Sequence, residues 1–508
     1  MISEMTPFWN IALRLCRVMG LGLLALSVGC AAQKARAKAT SAASAASAPL
    51  AQGVETFEAA WQIIYESHFD TNFNGVNWLA VREEFRPKAE AANTVDELRV
   101  VIQQMLSHLG QSHMTIIPGS LADAFDPQKV KRSAHPKKSA ARDSKTNAQT
   151  SPDESEEDEE EAPSSGLHGD IGFDVRLVDQ QIVVSRVEDA SFAQAAGVKA
   201  GWVVQAVGPR RLADRLEKLP SDLEPAKAQF MAWRMAKALL LGRPGSVVQV
   251  EFLNDADQAL TVQLERQPAK GLLAKLGLLP PVYARLEHER LKPESGLSIG
   301  LIRFNLFMIP VAGLFDQAVE EFRDADGVII DLRGNLGGIA GMVMGLAGHF
   351  LNEPLSLGTL KMRGNELKFF ANPRRVNPAG QRVEPFSGPV AILTDGASLS
   401  AAEIFAGGMQ DVRRARIFGQ TTPGQALPAV WDRLPNGDVL YHAFADFVTG
   451  SGVRLEGRGV IPDERVPLLR KDLLAGRDAP LLAALKWISA QRREKVPDGR
   501  RTDSRRRE

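Results

Sequence analysis

Ser400-Ala401-Ala402-Glu403 stands where the apolar run Pro389-Val390-Ala391-Ile392-Leu393-Thr394 gives way to a helical pattern over 401–411. A hydroxyl at that junction faces a helix N-terminus, whose dipole favours developing negative charge, so acyl transfer through Ser400 is the chemistry on offer. Taken alone, a serine there is an ordinary helix N-cap. A second loop, Asp331-Leu332-Arg333-Gly334-Asn335-Leu336-Gly337-Gly338, leaves another β-rich run. Glycines placed ahead of a helical pattern expose backbone N–H groups suited to an oxyanion. The hydroxyl also needs a base within hydrogen-bond reach. Gln111-Ser112-His113 falls on the turn beyond a helix end, where side chains reach a site. His442, in the strand Val439-Leu440-Tyr441-His442-Ala443, competes for the role, and strand alternation leaves its direction open.

The elements that must hold these residues are legible from pattern. Phe57, Trp61, Ile64 and His68 recur at helical spacing and read as a packed face. Thr94-Val95-Asp96-Glu97 has capping-box form, Leu98, Ile102, Met105, Leu106 and Leu109 make one apolar stripe, and Gly110 stops the helix. Short β-rich runs at 298–304, 327–332 and 389–394 alternate with helical patterns at 311–323, 339–351 and 401–411. That alternation predicts an α/β core with its site at the C-terminal ends of the strands. Between the helical module and this core, Gly169-Asp170-Ile171-Gly172-Phe173-Asp174-Val175, the strand 181–184 and the stretch 191–204 resemble a PDZ domain. In that family the loop before the first strand offers backbone N–H groups to a peptide carboxylate, which assigns Asp170, Ile171, Gly172 and Phe173 to peptide binding. The same module could serve only to gate or brace the core. The resemblance offers no account of a helical insert around Trp233, over 225–241.

Together the two loops resemble the C-terminal-processing (tail-specific) and tricorn-type serine peptidases. The likeness rests on Ser400-Ala401-Ala402-Glu403, Gly407-Gly408-Met409-Gln410-Asp411, 416–424 and the closing Gly457-Arg458-Gly459-Val460-Ile461-Pro462-Asp463. It implies a crotonase/ClpP-like α/β peptidase core with an inserted PDZ domain and an N-terminal helical module. The Ser-Lys branch carries a lysine where this chain has Gln425, and no Lys stands between Lys368 and Lys471. The tricorn-type branch instead pairs a Ser-His segment with a late glutamate, which the resemblance places at Ser112, His113 and Glu456. It then implies that His113 takes the Ser400 proton, that Ser112 and Glu456 orient the ring, and that Gly337, Gly338 and Ala401 hold the oxyanion. Without that likeness, Glu456 is a loop residue beside Arg454 and Arg458. Glu403 and Asp411 are expected to support the nucleophile helix. No metal and no cofactor are implied.

Across 508 residues Lys+Arg and Asp+Glu both count 61, a balance that gives no electrostatic ground for nucleic acid. Arg14 and Arg17 flank the apolar run 18–28, too short to span a bilayer, and Leu26-Ser27-Val28-Gly29-Cys30 resembles a lipobox with Cys30 as the lipidated residue. The chain has two Cys, and Cys16 would leave with the signal. The expected organisation is a lipoprotein-type signal over 1–30, a flexible tether over 31–53 and the helical module over 54–125. A charged linker over 126–167, the PDZ domain over 168–267, the peptidase core over 268–470 and a C-terminal helix with basic tail over 471–508 follow. The expectation is an exported serine endopeptidase of the cell envelope, on the periplasmic side, acting on proteins or peptides, through their C-termini where the PDZ engages them. Secretion after simple cleavage is the lesser alternative. A catalytically inactive PDZ scaffold is the alternative that Gln425 favours, and crotonase-type acyl transfer a further one, since fold does not fix chemistry. Gly334-x-x-Gly337-Gly338 lacks the spacing and Lys-Ser/Thr of a P-loop.

Overall fold

The computed structural model describes residues 52–120, 169–279, 281–293 and 296–495. The signal, Cys30, nearly all of the tether, the charged linker and the basic tail lie outside the described residues.

Three helices open the chain: α1 (Gly53–Ser67), α2 (Trp78–Ala91) and α3 (Val95–Ser107). Phe57, Trp61 and Ile64 are buried against Trp78, Phe85, Ile102 and Leu106, as their spacing predicts. Thr94 Oγ1 accepts from the Glu97 N–H at 3.1 Å, while Glu97 reaches back to the Asn93 N–H. Gly110 adopts φ +61°, the left-handed turn that ends the helix and aims the chain into β1 (Thr115–Ile117).

A β-rich module follows over 169–268. Its strands β2 (Phe173–Val178), β3 (Gln181–Val187), β4 (Val203–Val207), β5 (Val247–Leu253) and β6 (Ala259–Glu265) pair antiparallel in that order, which leaves β2 at an edge. The segment around Trp233 is a helix, α4 (Pro225–Leu240), started by proline in its first turn. It buries Ala232, Trp233, Ala236 and Leu240 against the inner face of the sheet.

The core is a six-stranded sheet in the order β7 (Leu286–Leu291), β8 (Ile299–Phe304), β9 (Gly327–Asp331), β12 (Val390–Thr394), β13 (Arg416–Gly419) and β17 (Glu464–Arg465). All neighbours are parallel except β7 and β8. Parallel central strands are covered on both faces and so read as continuous apolar runs. Here α5 (Ile309–Glu321), α6 (Met342–Ala347) and α7 (Ala401–Asp411) cover one face, and α8 (Ala479–Lys495) packs Ala484 and Ile488 on the other. The helix expected over 339–351 is only α6, bounded by Gly341 and Gly348 at its two ends. The glycine loop therefore does not open directly onto a helix N-terminus.

Two small sheets complete the core. β10 (Leu355–Met362) pairs with β11 (Asn365–Ala371) and β16 (Ala445–Val448). β15 (Val439–Ala443) lies between β14 (Ala429–Arg433) and β1, with Tyr441 opposite both Trp431 and Thr115. That last pairing brings the turn after α3 to the core. Among the described residues no helix is long and apolar enough to cross a membrane.

Candidate active site

β12 ends at Thr394 and α7 begins at Ala401, so six residues must reverse the chain. Asp395 organises the turn: its Oδ1 accepts from the Ala397 N–H at 2.9 Å and from the Gly334 N–H of the glycine loop at 3.1 Å. Ser398 Oγ donates to Leu332 O at 2.7 Å, and the Leu399 N–H donates to Asn335 O at 2.8 Å. The two loops are thereby stitched side by side.

Ser400 emerges at φ +54°, ψ −118°. Two hydroxyl caps in this chain are extended: Thr94 lies at φ −130°, ψ 159° and Ser191 at φ −95°, ψ 159°, each accepting a hydrogen bond on its side-chain oxygen. The Ser400 backbone is strained by something on the order of 1–3 kcal/mol, a conformation that persists only where surroundings impose it. The surroundings are a carboxylate. Glu403, fully buried, accepts from the Ser400 N–H (3.1 Å), Thr422 Oγ1 (2.5 Å), the Gly424 N–H (2.8 Å) and the Gln425 N–H (2.9 Å). Burial outweighs these four bonds and pushes its pKa up to about 7. The Ser400 N–H also donates to Gln425 O at 3.0 Å. At the position where the Ser-Lys branch has its lysine, this chain thus uses both backbone groups of Gln425 to fix the nucleophile.

The oxyanion expectation needs one correction. The Gly337 N–H already donates to Asn335 Oδ1 at 2.9 Å, so it is not a free donor. Its missing side chain matters instead: a Cβ there would stand 2.7 Å from Ser400 Cβ and 2.8 Å from Ala401 N. Only glycine lets the loop lie this close to the nucleophile. Among the described residues, the N–H groups of Gly338 and of Ala401, which follows Ser400 in the chain, donate to no acceptor. Asn335, with Nδ2 on Phe304 O at 2.8 Å, is the residue that shapes this turn and that the sequence reading missed.

Across the cleft, His113 sits at φ +59°, between the turn after α3 and β1. Ser112 Oγ lies 2.7 Å from His113 Nδ1 and donates to Glu456 Oε2 at 2.9 Å, while the Ser112 N–H donates to Glu456 Oε1 at 2.8 Å. A carboxylate only accepts, so the single Ser112 proton points at Glu456 and the Ser112 oxygen takes Nδ1–H. This leaves Nε2 unprotonated, the form a base requires. Burial lowers the His113 pKa to about 4 and raises that of Glu456. The His113 ring lies 5.6 Å from that of Tyr441. Glu456 Oε2 also accepts from the Ala426 N–H at 2.9 Å, next in chain to Gln425. Hydrogen bonds therefore run from Ser112 through Glu456 and the 425–426 peptide to Ser400. Among the hydrogen bonds of the described residues, none joins Ser400 Oγ to the His113 ring.

His442 points to the opposite side of β15 from Tyr441 and is almost fully buried. Its Nε2 lies 3.0 Å from Asp432 Oδ2 and its Nδ1 3.4 Å from Ser67 Oγ of α1. It is pinned between strand and helical module, and it drops out as a base for Ser400. Asp411 accepts from Thr449 Oγ1 at 3.1 Å and the Ser451 N–H at 2.9 Å, at the far end of the nucleophile helix.

The loop assigned to peptide binding is also different from expectation. Ile171 and Phe173 are buried in the module, and the Gly172 N–H donates to Asp170 Oδ1 at 3.0 Å. The row of free N–H groups that would receive a carboxylate is therefore interrupted at its centre. Among the described residues no group of three or more His, Cys, Asp or Glu is placed to hold a metal.

The sequence matches the family model described as peptidase family S41 over residues 298–466 and that of the tricorn protease C1 domain over 52–107. The carboxyl-terminal-processing protease of Picosynechococcus sp. is 23% identical over 411 residues, covering 80% of this chain and 82% of its own. That of Synechocystis sp. is 24% identical over 437 residues, covering 84% and 85%. Among solved structures, the photosystem II D1 C-terminal processing protease superposes with a TM-score of 0.52 at 19% identity, over 86% of this chain and 97% of that one. Mature CPAF does so at 0.54 and 12% identity, over 89% and 98%. These structures share the mixed α/β multidomain fold, and the domain matches lie on the segments that carry Ser400 and α1–α3. Residues 298–466 thus carry a peptidase family S41 domain, and the chain is similar to C-terminal-processing and tricorn-type serine peptidases.

Proposed function

We propose that the chain is an endopeptidase that cleaves proteins or peptides through an acyl-enzyme at Ser400, with His113 in place of the lysine of the Ser-Lys branch. The observation that carries this reading is the Ser400 backbone, at φ +54°, ψ −118°, with the glycine loop so close that a Cβ on Gly337 would stand 2.7 Å from Ser400 Cβ. A capping serine needs no such strain, whereas a nucleophile on a sharp strand-to-helix turn does.

In the first step His113 Nε2 accepts the Ser400 hydroxyl proton as Oγ attacks the scissile carbonyl carbon. The carbonyl oxygen, now negative, is received by the N–H groups of Gly338 and Ala401. The imidazolium is supported through Nδ1–H, Ser112 and the Glu456 carboxylate. His113 then gives its proton to the leaving amine, the C–N bond breaks, and Ser400 carries the acyl group. Water, deprotonated by the same ring, releases the product acid. Catalytic hydrogen bonds are often long in unliganded enzymes and tighten on substrate, which accommodates the Ser400–His113 gap.

Module 169–268 is read as an inserted PDZ fold and the core as crotonase/ClpP-like. Anchoring through Cys30 on the periplasmic side of the envelope remains part of the proposal, carried by the sequence alone. The inactive-scaffold reading rests on the missing lysine side chain at position 425, where Gln425 contributes its backbone N–H and C=O. A fluorophosphonate probe tests the proposal: the wild-type chain is expected to be labelled at Ser400, with labelling abolished in Ser400→Ala and suppressed in His113→Ala. Wild-type protein that takes no label and cleaves no unfolded protein would return the scaffold reading.

A further inference from the structure

The edge strand β2 and helix α4 define the groove in which a strand-adding peptide would lie, yet each polar feature such a ligand needs already has an internal partner. β-addition requires free N–H and C=O groups along an edge and a nest of N–H groups for the terminal carboxylate. Asp170 places its own carboxylate on the Gly172 N–H at 3.0 Å, and Lys237 Nζ stands 3.7 Å from the other oxygen of that carboxylate. A ligand carboxylate would have to displace this one against like charge. Further along β2, the Val175 N–H donates to Asp174 Oδ1 at 2.9 Å and Val175 O accepts from Arg176 Nη1 at 2.7 Å. Trp233 Nε1 donates to Asp174 Oδ1 at 3.3 Å, tying the helix across the groove.

The far end of the same helix face is occupied by the peptidase core. Ala226, Gln229, Trp233 and Lys237 share one face of α4 by their spacing. A Cβ on Gly396 would stand 2.5 Å from Gln229 Cβ and 3.2 Å from Ala226 O, so the nucleophile loop touches α4 as closely as backbone allows. Ala397 is buried within the apolar cluster of the module, beside Trp233 and Phe173. Arg176 Nε donates to Asp395 Oδ2 at 2.5 Å. That end of the groove is closed by the chain that leads to Ser400.

We infer that the groove of module 169–268 is committed to the chain's own Asp170 carboxylate and Asp395–Ala397 loop, so that this enzyme takes polypeptide substrates without reading a free C-terminal carboxylate. The inference rests on the peptidase reading for its substrate class, but not for the state of the groove. A matched pair of long peptides with one internal cleavage site, ending in a free acid or an amide, tests both. Full-length wild type is expected to cleave the two with kcat/KM equal within about twofold, and fluorescence anisotropy with the full-length Ser400→Ala chain to distinguish them no better. Asp170→Ala uncaps the Gly172 N–H and is expected to raise binding of the acid over the amide about tenfold, whereas Asp170→Asn, which keeps an acceptor oxygen, is not. A tenfold preference of the wild type for the acid, in cleavage or in binding, overturns the inference. If wild type cleaves neither peptide but binds both equally, the peptidase reading fails and the committed groove stands.

Discussion

Two Ser–His–carboxylate clusters meet β15 from its opposite faces. On the Tyr441 side stand Ser112, His113 and Glu456; on the His442 side stand Ser67, His442 and Asp432. Each holds a serine, a histidine and a carboxylate within hydrogen-bond range, yet the hydrogen bonds run in different directions. Ser67 Oγ donates its proton back to Ile63 O at 2.5 Å, within its own helix, and both ring nitrogens of His442 have neighbours. Ser112 donates to a carboxylate, which turns Nδ1–H of His113 inward and leaves Nε2 open. Ser67 and Asp432 hold His442 between a helix and a strand, whereas Ser112 and Glu456 leave His113 Nε2 open, as the proposed base role requires. What separates machinery from mortar here is where each proton points and which nitrogen is left over.

Removing the imidazoles gives the widest separation. His113→Ala, like Ser400→Ala, is expected to lower kcat/KM on an unfolded protein substrate by about a thousandfold or more while thermal unfolding stays near wild type. His442→Ala is expected to keep turnover within a few-fold and instead to lower stability by about 1–3 kcal/mol, because it leaves a buried gap beside Asp432. Parallel activity and urea-unfolding measurements on the two variants check this. Equal losses of activity would make both clusters catalytic and break the contrast.

The carboxylates should separate less widely. Glu456→Gln puts an amide donor in place of one of the two oxygens that accept from the Ser112 and Ala426 N–H groups, so the relay loses its direction. A fall in kcat of about ten- to a hundredfold with little change in KM is expected, the sign of an interaction made in the transition state. Asp432→Asn should leave kcat within about twofold. Steady-state kinetics on both decide it.

Much of this site was legible before any coordinates. Ser400 at a strand-to-helix junction, the capped helix ending at Gly110 and the buried parallel strands all follow from local pattern, because each depends on residues within a few positions. Ser112, His113 and Glu456 were legible only through resemblance, since 344 positions separate the carboxylate from its serine. What stayed hidden are choices made by distant partners. The Gly337 N–H looks free until Asn335 folds back on it. His442 looks eligible until Ser67, 375 positions away, closes on its other side. The Asp170–Phe173 loop looks like a carboxylate nest until Asp170 occupies it. Arg176 and Asp395, which join the module to the nucleophile loop, carry no signal as a pair across 219 positions.

The subtlest expected effect concerns the half-buried His113 and the fully buried Glu403, whose titrations oppose each other. His113 is held neutral by burial, with a pKa lowered to about 4 from 6.5. Its unfolded form binds a proton first, so its contribution to stability is complete above pH 6.5 and is lost as pH falls from 6.5 toward 4. Glu403, raised to about 7 from 4.5, does the reverse: its folded form binds the proton more tightly, and stability falls as pH rises from 4.5 toward 7. Between pH 4.5 and 6.5 the two slopes oppose. Wild type should show a nearly flat melting temperature there, Glu403→Gln a melting temperature that drops with acid, and His113→Ala one that rises with it. Activity resolves the same pair. Protonated Glu403 loses acceptor capacity for the Ser400 and Gln425 N–H groups, so kcat should step down modestly below pH 7, and Glu403→Gln should lack that step. The steep loss should wait until His113 charges near pH 4. A single steep limb near pH 6.5 would mean that the imidazole is solvated in the working enzyme, and the contrast between the two faces of β15 would then rest on hydrogen-bond direction alone.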